Sequence, residues 1–279
     1  MATEPSTPVL RSGASSKAKE IPGREFVGDP NFMSSLARGL SVLQAYSQLK
    51  RPASIAQLSS RTGLSRAVVR RCMYTLTQLG YAVCNEAPHF VLLPKVLGLG
   101  YAYLASMPIA QAAHPVLERL GEKLHESCSV SVLDGDEIIY IARASMTRIM
   151  SVDLHIGSRL PAFCTSMGRV LLANLPGPEL ETYLRRVKLA RYTSYTITSI
   201  SKLRQTLRTI RRNGYAVVDQ ELETGLRSIA VPIINPNGEV MAALNVGAHA
   251  QRVAVSDLQS EVLPHLRSSA EELGLLFIE

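Results

Sequence analysis

The stretch from Ser54 to Pro94 leaves few folds open. It reads SIAQLSSRTGLSRAVVRRCMYTLTQLG and then YAVC, NEAPH and FVLLP. Ser54 can cap a short helix, IAQLSSRT, that faces Ile55 and Leu58 inward and stops at Gly63. Ser65 then caps a second helix. At about 100° per residue, Arg66, Ala67, Arg70, Arg71 and Tyr74 share one arc of that helix. Val68, Val69, Cys72, Met73, Leu76 and Leu79 share the opposite arc. After Gly80, two short apolar runs around a turn-forming segment predict a hairpin, with His89 at its tip or just beyond. Two helices joined through a glycine turn and followed by a hairpin form a winged helix-turn-helix pattern. Its second helix would enter the major groove of double-stranded DNA, where arginine suits both guanine edges and phosphates. Ser65 and the free amides beside it could hold a phosphate. A charged face on one helix alone would read as ordinary solvation. The order of elements argues otherwise.

Charge supports this placement. Up to Met107 there are 12 Lys or Arg against 5 Asp or Glu, and from Pro108 onward 18 against 18, so the whole net charge of +7 lies in the first third. A nucleic-acid-binding head on a neutral body is the expected organisation. Before the head, SLARGLSVLQAYSQL predicts a helix over Ser34–Leu49, with a stripe of Leu36, Leu40, Leu43 and Ala45. Residues 1–30, rich in Pro, Ser, Ala and Lys, read as a flexible tail. They carry no apolar signal stretch, and no run of about 18 apolar residues occurs. The four cysteines, Cys72, Cys84, Cys128 and Cys164, form no C-x-x-C pair. A cytoplasmic protein with reduced thiols, no membrane partner, no metal and no cofactor is expected.

The expected divisions are a winged helix over 31–93, a linker helix over 94–107 and a body over 108–279. The linker LPKVLGLGYAYLASM has an apolar surplus that a partner chain would cover, predicting a homodimer or a dimer of dimers. The body alternates helices with strand hairpins. CSVSVL, EIIYIARA and TRIMSVDL read as successive strands, and NPNG as a hairpin turn. Strands in hairpins with helices on one face predict an α+β domain. No catalytic constellation stands out. Cys164 has no histidine placed near it and reads as a buried structural thiol, and Asp219, Glu221 and Glu223 read as loop solvation or partners of Arg227. A small hydrolase with a basic appendage, or a module that only dimerises, are the competing readings.

SLARGLSVLQAY, AQLSSRTGLSRAVVRR, IGSRLPAFCTSMGRVLLA, YTSYTITS, GYAVVDQELETGLRSIAVPI and AALNVG resemble, in order, the motifs of IclR-family transcriptional regulators, over almost the whole chain after about Phe32. The resemblance implies an α+β protein: an N-terminal winged helix-turn-helix followed by a GAF-like antiparallel-sheet effector domain. CTSMGRVLLA and VVDQELETGLRSIAVPI are most similar to the subgroup controlling protocatechuate, β-ketoadipate and 4-hydroxybenzoate breakdown. An activator sensing a small carboxylic acid is therefore expected, with a repressor as the alternative. Ala67 and Val68 stand where many members carry a Ser-Thr pair. By resemblance, the polar pocket positions fall on Ser166, Met167, Ser228, Asn245 and Gly247, the last two replacing hydroxyl residues of some relatives. Amides from Thr165 to Gly168 could hold a carboxylate, and Leu160, Ile149 and Met167 could form an apolar wall. Arg148 is either the charge partner of an acid or a surface arginine.

Overall fold

A computed structural model describes residues 26, 28–46, 49, 52–85, 88–146 and 154–277, the side chain of Pro108 excepted. The expected tail therefore falls largely outside the described residues. So do Arg148, Ile149 and nearly all of the strand expected over TRIMSVDL. The chain divides into two compact units, with the boundary between Tyr101 and Ala102.

The first unit holds α1 (Ser34–Ala45), β1 (Ala53–Ser54), α2 (Ile55–Thr62), α3 (Arg66–Gln78), β2 (Ala82–Cys84) and β3 (His89–Leu92). The strands form a three-stranded antiparallel sheet in the order β1-β3-β2. Local signals set these boundaries. Ser54 and Gln57 close a reciprocal capping box at the start of α2, and Gly63 ends it at φ 72°, a left-handed conformation that glycine adopts without penalty. Val42, Leu58, Val69 and Met73 are fully buried together, each burial worth roughly 1.5–3 kcal/mol. The sheet and α2–α3 thus form a winged helix, as the motif predicts. Two apolar assignments fail. Leu36 and Leu40 are 57% and 47% exposed, while Leu43 and Ala45 of the expected stripe pack, partly buried, beside the buried Val42 and Tyr46. Leu79, at the C-cap of α3, is 52% exposed because the chain turns away there into Gly80.

The boundary falls within α4 (Leu97–Ala105), a helix without a charged residue and without a buried one. Leu97, Leu99, Tyr101 and Tyr103 are all exposed.

The second unit contains α5 (Pro108–Leu124), β4 (Ser127–Asp134), β5 (Glu137–Ala144), β6 (Arg159–Pro161), α6 (Ser166–Asn174), α7 (Gly177–Arg186), α8 (Ile200–Asn213), β7 (Ala216–Asp219), β8 (Leu226–Ile234) and β9 (Val240–His249). It ends with α9 (Val255–Asp257), a π turn and α10 (Leu263–Gly274). The six-stranded antiparallel sheet has the order β6-β5-β4-β9-β8-β7. Helices were expected on one face only, yet both faces are covered. Cys128, Val130, Ile229, Leu244 and Val246 pack against α5 and α10, while Tyr140, Ala230 and Ala243 pack beneath α6, α7 and α8. The sequence shows why. The sheet's second face is lined with Ser127, Ser129 and Ser131 on β4 alone, so it needs a cover that tolerates hydroxyls, and α6 supplies it.

Candidate functional site

In the first unit, Arg66, Ala67, Arg70, Arg71 and Tyr74 all face solvent, Tyr74 at 66% exposure, because Val69, Met73 and Leu76 anchor the other side of α3. Ser65 caps the helix, its Oγ accepting from the Val68 N–H at 3.4 Å. Ser54 is occupied as the cap of α2, accepting from the Gln57 N–H at 3.3 Å while its own N–H donates to Gln57 Oε1 at 2.9 Å. His89 opens the second strand of the hairpin, pairs with Ser54 across the sheet, and donates its N–H to Asn85 Oδ1 at 2.9 Å. The structure thus brings the arginines, Ala67 and Tyr74 onto one open helix face, with Ser54 and His89 side by side in the small sheet.

In the second unit, Leu160, Thr165, Ser166, Met167, Ser228, Asn245 and Gly247 line a single pocket. Its cavity is narrow, with a volume of about 50 Å³. Gly168, expected at the site, is not a lining residue and acts behind it. A Cβ there would lie 2.2 Å from the Ala162 carbonyl oxygen, so only glycine lets α6 seat against the preceding turn. Thr165 caps α6: its hydroxyl donates to the Pro161 carbonyl at 3.0 Å and accepts from the Gly168 N–H at 3.3 Å. That leaves the Ser166 hydroxyl as the side-chain polar group at the helix start that turns to the pocket, buried and without a hydrogen-bond partner.

The floor is built across strands. Register places Arg143 on β5 opposite Ser129 on β4, and Ser129 opposite Asn245 on β9. One row on, Ser127, Gly247 and Ser228 stand side by side. A Cβ at Gly247 would meet nothing within 4 Å, so this glycine opens the floor between two serines. Arg143 Nη1 donates to Ser129 Oγ at 2.9 Å, while Arg143 Nε and Asn245 Oδ1 are buried without partners. Three of the buried unpartnered side-chain atoms therefore converge on one cavity. Arg143 is the charged residue among the described lining groups. Burial pushes the Tyr140 hydroxyl and the Cys164 thiol up to about 12, so both stay neutral at pH 7. The pocket thus offers one cation, a helix N-terminus, a hydroxyl and an amide oxygen, bounded by Leu154, Leu160 and Leu222.

Sequence reasoning missed Arg143 and looked to Arg148 instead, which lies outside the described residues. A signal was present: an arginine between two alanines in EIIYIARA, at a strand position opposite a serine-alternating strand. It also missed the clamp behind the pocket. Arg169, 2% exposed, donates to both Glu221 oxygens at 2.5 and 2.6 Å and from Nε to the Phe163 carbonyl at 2.7 Å. Asp219 is the partner of Arg227, at 2.8 and 2.9 Å. Among the described residues no group of three or more metal-binding side chains occurs.

Residues 35–85 match the IclR helix-turn-helix domain, and residues 101–275 match the C-terminal domain of bacterial IclR transcriptional regulators. The chain belongs to the IclR family. Its winged helix is the family's DNA-binding domain, and its larger unit the family's C-terminal domain. It is 49% identical to the Pca regulon regulatory protein of Pseudomonas putida, over 97% of this chain and 94% of that one. It is 35% identical to the p-hydroxybenzoate hydroxylase transcriptional activator of Acinetobacter baylyi, over 89% and 93% of the two chains. Among solved structures, the inducer-binding domain of an Acinetobacter PobR double mutant, in complex with 3-hydroxybenzoic acid, superposes with a TM-score of 0.56 at 35% identity. That match covers 60% of this chain and 97% of that one. IclR-family proteins of this kind are transcriptional regulators, not enzymes. Among the described residues no single helix is long and apolar enough to cross a membrane.

Proposed function

We propose that this IclR-family protein activates genes of aromatic-acid breakdown in the cytoplasm, reading its operator through α3 and responding to a small carboxylate held in the pocket of the larger unit. The pathway rests on the names of two relatives, one of them an activator. The carboxylate rests on one observation: Arg143 is the charged lining group, and its Nε, like Ser166 Oγ and Asn245 Oδ1, has no partner within the protein. An acid would take the guanidinium and the α6 amides at its carboxylate end. A carbonyl or hydroxyl at its other end would meet Ser228 or Asn245.

Arg66, Arg70 and Arg71 are the groups for bases and phosphates, Ser65 for a phosphate, and Ala67 and Tyr74 for apolar contact. His89 opens the second strand of the wing, with Ser54 beside it on β1, where contacts to the neighbouring backbone would fall. The exposed apolar face of α4, within the linker region 94–107, joins two copies, so that paired winged helices meet paired half-sites. Only a ligand with different affinities for two arrangements of such a dimer shifts it between them.

Thermal unfolding with protocatechuate, 4-hydroxybenzoate and β-ketoadipate tests the pocket. A ligand at about 100 times its Kd adds about 2.7 kcal/mol. For a domain of this size that raises Tm by about 5–11 °C. At least one acid is expected to do so in the native chain and to fail with Arg143→Gln. Equal shifts in both chains, or none with any acid, overturn the assignment.

A further inference from the structure

The larger unit is neutral in sum but not in distribution. Between Thr182 and Val218 there is no Asp or Glu. The same stretch carries the basic residues of the end of α7, the following loop and α8. Elsewhere in this unit arginines are matched: Arg119 with Glu272, Arg159 with Asp134 and Glu137, Arg227 with Asp219, Arg252 with Glu126. Here they are not. Arg185, Lys188, Arg191, Lys202, Arg208 and Arg212 are exposed, and none forms an ion pair among the described residues. Arg204 takes Glu181, and Arg185 and Arg208 also press on that carboxyl, holding it below its ordinary value. One carboxylate thus serves three guanidiniums.

A protein partner would ask for an apolar centre in such a surface, since charged residues are depleted at the core of protein interfaces. The outer face of α8 has none: its exposed side chains are Ser201, Lys202, Gln205, Arg208, Thr209, Arg211, Arg212 and Asn213, and the large apolar side chains exposed in the loop before it are Tyr192 and Tyr195, each carrying a hydroxyl. A polar, strongly positive face instead has the character of a nucleic-acid interface. From Lys202 to Arg212 the helix runs about 15 Å, a length over which duplex DNA carries about nine phosphate charges.

We infer that the outer face of α8, with the end of α7 and the loop after it, is a second DNA-contacting surface that grips phosphates without reading sequence. It goes beyond the assignment of α3, and its test separates the two. The full-length chain is titrated with mixed-sequence duplex over a range of salt, with and without Lys202→Gln, Arg208→Gln and Arg212→Gln together. The same comparison is made in a chain already carrying Arg66→Gln, Arg70→Gln and Arg71→Gln. Removing three phosphate contacts lowers the slope of log affinity against log salt by about 2.7 in both backgrounds. The ratio of native to variant affinity then falls about forty-fold between 50 and 200 mM salt. Lysine at positions 208 and 212 restores most of the slope, and Tm is unchanged because all three side chains are exposed. A slope that the α8 changes leave as it was overturns the inference, whatever α3 does. A slope moved by α8 alone keeps the inference and removes the assignment of α3.

Discussion

Glu221→Ala tests how the effector pocket is held in place. Arg169 is 2% exposed, and its guanidinium finds both of its charged contacts on Glu221, at 2.5 and 2.6 Å. Glu221 Oε2 also accepts from the Ile197 N–H at 2.8 Å, tying the segment before α8 to the same carboxylate. Truncation strands a buried cation and an amide together. Breaking a buried pair from one side costs about 3–5 kcal/mol. In a unit of this size that lowers Tm by about 6–20 °C. Far-UV circular dichroism followed on heating reads it directly. The cost is assigned to the unpaired charge, not to lost attraction, and that makes a second expectation. Arg169→Met with Glu221→Leu removes both charges and fills the space, so most of the lost Tm returns. A fall of under about 2 °C for Glu221→Ala would refute the reasoning. So would a double variant no more stable than the single one.

Two glycines should behave oppositely. Gly168→Ala drives a Cβ to within 2.2 Å of one Ala162 backbone atom and 2.4 Å of another, so it should cost about 3 kcal/mol and abolish ligand-induced stabilisation in a thermal melt. Gly247→Ala meets open space, so Tm should hold while ligand affinity, by isothermal titration, falls as the pocket narrows. Burial raises the Glu126 carboxyl above its ordinary 4.5, outweighing the attraction of Arg252. The protonated form is therefore the one the fold favours: its contribution is complete below pH 4.5 and is lost as pH rises through the folded value. The Tm of Glu126→Gln relative to the native chain should rise between pH 4 and pH 7, and a difference independent of pH would contradict this. Cys84 is exposed, whereas burial pushes the thiols of Cys128 and Cys164 to about 12. A disulfide reagent at pH 8 should label Cys84 quickly and reach the two buried thiols only after denaturation.

The winged helix was legible because its instructions are local. Ser54, Gln57, Gly63 and Ser65 act on neighbours within a few residues, and α3 shows both of its faces in its own periodicity. The stripe on α1 held at Leu43 and Ala45 and misled at Leu36 and Leu40, because a period shows that a face is apolar, not what covers it. The pocket was partly legible. Resemblance led to Ser166, Met167, Ser228, Asn245 and Gly247, which the sheet gathers from α6, β8 and β9. Arg143 reaches the same place only through the register of β5 on β4, which no run of sequence states. Arg169 and Glu221 lie 52 residues apart, and each looks ordinary in its own surroundings.

Strand β4 turns Ser127, Ser129 and Ser131 one way and Cys128, Val130 and Val132 the other. The wall of the pocket and the packing of the core are thereby written on alternate letters of one word. Exchange at Ser127, which lines the pocket, would change the polarity of its wall while the even positions keep their grip on α5 and α10.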